Sequence, residues 1–175
     1  MRDSYKWKIV MMGDFAVGKT SLVRRFVYDE FSDSYLTTIG VKVTKKEMAL
    51  DNGDVSLLIW DIAGSDRFNI VSPEYIRGAS GGIIVADVTR ESTIESIQAH
   101  IDDIHNINPE AVLAVALNKS DLAAGNPDRL PLIEAAKAVT GVKGCHTCFL
   151  TSAKNGENVE ELFKTLAEKI RIGNR

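Results

Sequence analysis

Hydrophobic and polar positions follow two alternating periods along this chain. Short apolar runs, buried on both faces, are followed by longer stretches with a 3.6-residue stripe. Residues 8–12 read as a buried strand ending at Gly13. After a glycine-containing loop, Leu22, Val23, Phe26 and Val27 share one helical face. Residues 41–50 alternate as a half-exposed strand, Asp51-Asn52-Gly53-Asp54 makes a hairpin turn, and residues 55–61 return as its partner. Residues 81–88 form another apolar run, followed by a helix with Ile94, Ile97, Ile101 and Ile104 on one stripe. Pro109 closes that region and residues 111–117 make a further buried strand. Residues 132–139 read as helix up to Gly141, and residues 148–151 as a last strand. Asn158 and Glu161 have the spacing of an N-cap pair, opening a helix with Val159, Leu162, Phe163, Leu166 and Ile170 inward.

Strands alternating with helices, and apolar along their whole length, predict an α/β fold with a mostly parallel sheet covered on both faces. The hairpin adds one antiparallel edge strand. No repeat, low-complexity tract or linker interrupts the 175 residues, so residues 1–175 are expected to form a single domain. In such sheets ligands bind beyond the carboxyl ends of the strands. The loops after Met12, Asp61, Leu117 and Thr151 are therefore where chemistry is expected.

Charge narrows the partners. With 21 basic against 24 acidic residues the net charge is −3, which argues against nucleic acid as the main partner. A local basic site for one phosphorylated small molecule remains compatible with it. Two cysteines do not build a disulfide framework. The apolar runs are too short to span a bilayer. The first residues lack the apolar stretch of a secretory signal and the second-position glycine of myristoylation, and the last carry no prenylatable cysteine. A cytoplasmic monomer without a direct lipid anchor is expected, meeting membranes only through partners.

The first expected loop reads Gly13-Asp14-Phe15-Ala16-Val17-Gly18-Lys19-Thr20, a match to G-x-x-x-x-G-K-[ST] between a strand and a helix. Glycines let successive N–H groups turn inward on phosphate oxygens, and the following helix adds its positive end. Lys19 brings a mobile cation to the outer phosphates and Thr20 a hydroxyl ligand for Mg²⁺. At the end of the third strand, in Trp60-Asp61-Ile62-Ala63-Gly64, Asp61 can hold a Mg²⁺-bound water, and Gly64 allows close approach of its N–H to a terminal phosphate. In Tyr35-Leu36-Thr37-Thr38-Ile39-Gly40, a threonine hydroxyl can complete the metal shell. Asn118-Lys119-Ser120-Asp121 follows the fifth apolar run. The Asp121 carboxylate can accept from guanine N1–H and N2–H₂, whereas adenine offers it an acceptor at N1 and no amine at C2. Asn118 can brace neighbouring loops, the Lys119 stem can lie over the base, and Ser152-Ala153-Lys154 can present backbone N–H to the guanine oxygen.

The ordered set GDFAVGKT, TTIG, WDIAG, NKSD and TSAK resembles the Ras superfamily of small GTPases, most closely its Rab branch, over about residues 6–171. The resemblance implies the small G domain form of the P-loop NTPase fold: a six-stranded, mostly parallel sheet with one antiparallel edge strand and five helices on both faces. It implies bound GTP or GDP with Mg²⁺, the metal held by Thr20, Thr38 and, through water, Asp61. The implied nucleotide set is Gly13, Asp14, Phe15, Ala16, Val17, Gly18, Lys19, Thr20, Ser21, Phe31, Tyr35, Thr38, Gly64, Asn118, Lys119, Asp121, Leu122, Ser152, Ala153 and Lys154, with Phe31 against guanine and ribose. Lys19, Thr38, Gly64 and Ser65 surround the reacting phosphate. Residues 32–42 and 62–78 become the two switch segments that meet an effector, an exchange factor and a GTPase-activating protein, in vesicle trafficking or cell organisation.

The chain departs from the family at Ser65, where Gln usually orients the attacking water. The shorter hydroxyl predicts slow unaided hydrolysis. Phe15 stands where relatives carry a small residue; it either obstructs water and an arginine finger or packs on the second switch. Ile62 replaces a usual threonine, and the family's cysteine-bearing tail does not follow the last helix: either it has been removed or the protein is not lipid-anchored. Two rival readings remain: a GTP-binding adaptor that does not hydrolyse, and a P-loop phosphotransferase, which the guanine-reading loop disfavours. Cys145 and Cys148 are expected to be loop or core cysteines, His105 a solvated helix-end residue, and Arg24-Arg25 with Lys42, Lys45 and Lys46 a solvated face or a surface for an acidic effector.

Overall fold

Every apolar run of the sequence becomes a strand of one sheet. The computed structural model describes residues 4–51, 53–64, 71–129, 134 and 144–173. The helix expected over 132–139 falls almost wholly outside those residues, as do Asn52 of the hairpin turn and Ser65 through Phe68. The strands are β1 (Ser4–Met12), β2 (Val41–Leu50), β3 (Gly53–Ile62), β4 (Gly81–Asp87), β5 (Val112–Asn118) and β6 (Thr147–Leu150). Their order is β2-β3-β1-β4-β5-β6. All neighbours run parallel except β2 and β3, the hairpin pair, in which Lys42 faces Asp61 and Leu50 faces Gly53.

The period of two in the strands divides the core. Ile9 and Met11 of β1, Ile83 and Val85 of β4, and Ala114 and Ala116 of β5 point to one face. Val10 and Met12, Ile84 and Ala86, and Leu113, Val115 and Leu117 point to the other. On the first face lie α1 (Lys19–Tyr28) and α6 (Val159–Gly173), joined by Phe26 and Phe163, whose rings stack at 4.0 Å. The second face is covered by α2 (Pro73–Ile76), α3 (Glu91–Glu95), α4 (Ile97–Ile107) and α5 (Ser120–Ala123). Only Ser96 separates α3 from α4, so the expected isoleucine stripe is a single interrupted helix; counted so, the described residues carry five helices.

Three local expectations change. Asn158 precedes α6, but it sits at φ 54 and its side-chain amide donates to the Leu150 carbonyl at 2.9 Å, while Glu161 accepts from Thr165. The pair is not the expected capping box. His105 is half-buried, with Nε2 3.1 Å from the Ala111 carbonyl, because the turn after α4 folds back over it. Arg25 is half-buried, pairing with Asp29 and reaching the loop after β6, as the site shows.

Candidate nucleotide-binding site

β1 ends at the sheet's centre, and the chain passes through residues 13–18 into α1. Gly13, Ala16 and Gly18 have φ of 147, 61 and 100. At Gly18 a Cβ would fall 2.4 Å from Asn118 Nδ2, so only glycine lets the loop lie on that side chain. The carbonyls of residues 13–17 are each taken by a side chain. Lys19 Nζ donates to Gly13 O at 2.9 Å and Asp14 O at 3.0 Å. Arg90 Nη2 donates to Phe15 O at 2.7 Å, Lys119 Nζ to Ala16 O at 2.9 Å, and Asn118 Nδ2 to Val17 O at 3.0 Å. A trans peptide is planar, with its N–H opposite its C=O. Holding the Phe15, Ala16 and Val17 carbonyls on one side therefore turns the N–H groups of Ala16, Val17 and Gly18 to the other, as in an anion nest.

Above the nest opens a cavity of about 360 Å³. Its lining joins Phe15, Ala16, Gly18, Lys19, Thr20 and Ser21 to Phe31, Tyr35, Thr38 and Gly64, and these to Asn118, Lys119, Asp121, Leu122, Ala153 and Lys154. The sequence motifs thus meet in one concavity of ligand size. Gly13, Asp14, Val17 and Ser152 do not line it. Val17 and Ser152 are buried, and Asp14 Oδ1 lies 2.8 Å from His100 Nε2. Ser32, Asp33, Ser34, Leu36 and Ile62 join the lining without having been singled out as ligand contacts.

At the mouth, Thr20 Oγ1 donates to Asp61 Oδ2 at 2.5 Å and lies 2.5 Å from Thr38 Oγ1, itself 3.4 Å from the same carboxylate oxygen. Asp61 Oδ1 is buried with no hydrogen-bond partner. Burial pushes the Asp61 pKa up, against the hydrogen bond from Thr20 and the charge of Lys19. Two hydroxyls beside a buried carboxylate with an unmatched oxygen form an all-oxygen donor set, which fits Mg²⁺. Lys19 is equally buried, and desolvation lowers its pKa to about 8 despite Asp61 and Asp14. At Gly64 a Cβ would stand 2.6 Å from Phe15 Cα, so the end of β3 lies directly against the phosphate loop.

At the far end, Asn118 ties three loops together. Besides Val17, it accepts from Thr151 Oγ1 at 3.2 Å and from Ala153 N–H at 3.3 Å. Asp121 opens α5, and its Oδ1 accepts from Ser152 Oγ at 2.6 Å. The Ras family profile matches residues 8–172 of the chain. The GTP-binding protein ypt5 of Schizosaccharomyces pombe is 39% identical over 167 residues, 94% of this chain and 78% of that protein.

The chain belongs to the Ras family.

Within it, this is a Rab-like GTPase, a GTP-binding switch that hydrolyses GTP. Ras-family GTPases bind GTP and GDP. Family membership does not favour the adaptor reading. Ser65 lies outside the described residues. The Phe15 ring is half exposed and leans on Tyr35, with centroids 5.6 Å apart, and the Phe15 backbone lies against Gly64. Of the residues that could meet Phe15 in 62–78, those from 65 to 70 lie outside the described residues.

Three supporting residues of this Ras-family site escaped the sequence reading. Arg25 was assigned to a solvated face, yet its Nε donates to Ala153 O at 2.8 Å and its Nη2 to Lys154 O at 2.5 Å. The loop after β6 covers it. Arg90 and His100 reach the phosphate loop from before α3 and from within α4. No local pattern marks them. His100→Ala strips the Asp14 carboxylate of its partner. The expected cost is about 1–3 kcal/mol, read as a lower midpoint of chemical denaturation, with weaker GDP binding.

Proposed function

We propose that the chain captures a guanosine polyphosphate with Mg²⁺ in this cavity and signals the number of its phosphates through residues 32–42 and 62–78. The observation that carries the reading is one cavity lined by the phosphate loop, Thr20, Thr38 and Asp121, with the buried Asp61 carboxylate behind the two threonine hydroxyls. The phosphates lie against the N–H groups of the loop, and Lys19 turns from the Gly13 and Asp14 carbonyls to the outer phosphates. Thr20, Thr38 and, through a water, Asp61 would hold Mg²⁺, which would neutralise charge on the phosphate oxygens. A water oxygen forms a bond to the γ-phosphorus, the bond to the β–γ bridging oxygen breaks with its electron pair leaving on GDP, and the water's proton passes to the released phosphate or to solvent. Loss of the γ-phosphate releases Thr38 and Gly64, and with them both segments.

In sequence Ser65 takes the place of the glutamine with which the family usually holds the attacking water, so unaided hydrolysis is slow. Ser65→Gln is expected to raise the single-turnover rate about tenfold or more; an unchanged rate removes Ser65 from this role. Phe15 obstructs an arginine finger from a partner. An effector, an exchange factor and a GTPase-activating protein meet the monomeric chain at the two segments, with a service in vesicle traffic or cell organisation. The chain is cytoplasmic and meets membranes through those partners. Among the described residues no helix is long and apolar enough to cross a membrane. The test of the reading is the nucleotide that co-purifies, identified by chromatography, together with competition between GTP and ATP. Equal affinity for both contradicts it.

A further inference from the structure

Arg90 belongs to none of the sequence motifs, yet it is fixed at two points. Its Nε donates to Asp87 Oδ2 at 3.2 Å and its Nη2 to the Phe15 carbonyl at 2.7 Å. Asp87 is buried at the end of β4. Its Oδ1 accepts from Thr89 N at 2.8 Å and Thr89 Oγ1 at 2.7 Å, and its Oδ2 also lies 2.8 Å from Lys119 Nζ. Burial alone would raise the Asp87 pKa; the hydrogen bonds from Lys119 and Thr89 outweigh it and keep the carboxyl below the usual carboxylate range. One fixed carboxylate thus anchors two cations, and the two cations grip consecutive carbonyls of the phosphate loop, Phe15 and Ala16.

The consequence follows from peptide geometry. Phe15 C=O and Ala16 N–H belong to one planar unit, so a donor on the carbonyl side fixes the N–H on the opposite side. Ala16 sits at φ 61, in the left-handed region that disfavours a residue with a Cβ, so its conformation needs an external hold. The contact also demands arginine. Its two acceptors are met by two different nitrogens of one planar fork, whose fixed spacing the point charge of a lysine does not copy at this distance. Phe15, whose carbonyl Arg90 holds, lies against Gly64, the residue expected to approach the terminal phosphate, and this sets the Phe15–Ala16 peptide at the outer end of the phosphate site.

We propose that Arg90 is a positioning residue for the outer phosphates: clamped by Asp87, it holds the Phe15–Ala16 peptide so that the Ala16 N–H faces the phosphate chain beyond the first phosphate. This deepens the guanosine polyphosphate reading and rests on it.

The test compares GDP with GMP, which shares the base and first phosphate but lacks the next one. Affinities of the full chain, Arg90→Ala, Arg90→Lys and Arg90→Gln are measured by calorimetry, with melting temperatures of the nucleotide-free proteins alongside. Arg90→Ala is expected to weaken GDP about tenfold and GMP less than twofold. Arg90→Lys recovers only part of the loss. Arg90→Gln, which keeps bulk and one donor, supplies the comparison should the alanine variant not fold. Equal weakening of GDP and GMP assigns Arg90 to general support of the fold and overturns the proposal. So does a GDP affinity unchanged in every variant while the wild type prefers GDP strongly. A wild type that binds GMP as tightly as GDP fails earlier, at the polyphosphate reading itself, and takes the proposal with it.

Discussion

Lys19→Ala is expected to weaken GDP and GTP binding by two to three orders of magnitude while leaving the fold intact. Lys19 is 6% exposed and opens α1 at the floor of the cavity. Two unit charges about 4 Å apart at an effective dielectric near 20 attract by roughly 4 kcal/mol, or about a thousandfold in affinity. The other described cations near it are committed elsewhere: Lys119 and Arg90 are engaged with Asp87 and the loop carbonyls, and Lys154 lies near Asp33. The pH dependence of binding has a defined sign. Burial sets the Lys19 pKa at about 8, and a bound polyphosphate raises it by favouring the ammonium. Binding above pH 8 therefore takes up protons, and GDP affinity falls about threefold between pH 7.5 and 8.5. In the nucleotide-free protein the folded pKa lies below the unfolded value of 10.5, so stability rises with pH between about 8 and 10.5. Calorimetry in buffers of different ionisation enthalpy reads the proton uptake directly. Persistence of that uptake in Lys19→Ala assigns it to another group.

What could be read in advance was whatever the chain writes in consecutive residues. Ile9 and Met11 against Val10 and Met12 reveal a strand buried on both faces, because a period of two sends neighbours to opposite sides. The phosphate loop was legible because backbone geometry forces glycine at Gly18, and because the lysine and threonine that act there follow immediately in α1. Thr38 and Asp61 were legible only through their order relative to that loop, and the structure brings both to Thr20. The supports behind the loop were not legible. Arg90 reaches Phe15 across 75 positions, His100 reaches Asp14 across 86, and Arg25 reaches Ala153 across 128. Such contacts depend on the crossovers between parallel strands, which place α1 beside the loop after β6 and α4 beneath the loop after β1. A helical pattern says which face of α1 is apolar. It does not say that another loop will lie over its polar face, and so Arg25 read as solvated.

Asp121→Asn is expected to weaken guanine nucleotides about a hundredfold and to strengthen xanthine nucleotides. Asp121 lines the cavity from the first turn of α5. Its orientation is imposed by Ser152, which is fully buried and donates to Oδ1 at 2.6 Å. An ionised carboxylate so held only accepts, and guanine offers it donors at N1 and at the C2 amine. Hydrogen bonds to a charged group contribute about 1.5–3 kcal/mol each, so replacing one acceptor by an amide donor forfeits roughly the hundredfold. Xanthine carries a carbonyl at C2 in place of the amine, and an asparagine amide matches it with a donor. The exchange separates base reading from support of the site. A variant that loses guanine and xanthine nucleotides alike has damaged the pocket, which a lower melting temperature would also report. A variant that gains the second while losing the first shows that this carboxylate chooses the base. If guanine affinity is unchanged, Asp121 does not face the base, and the end of the cavity formed by Asn118, Ala153 and Lys154 must be reassigned.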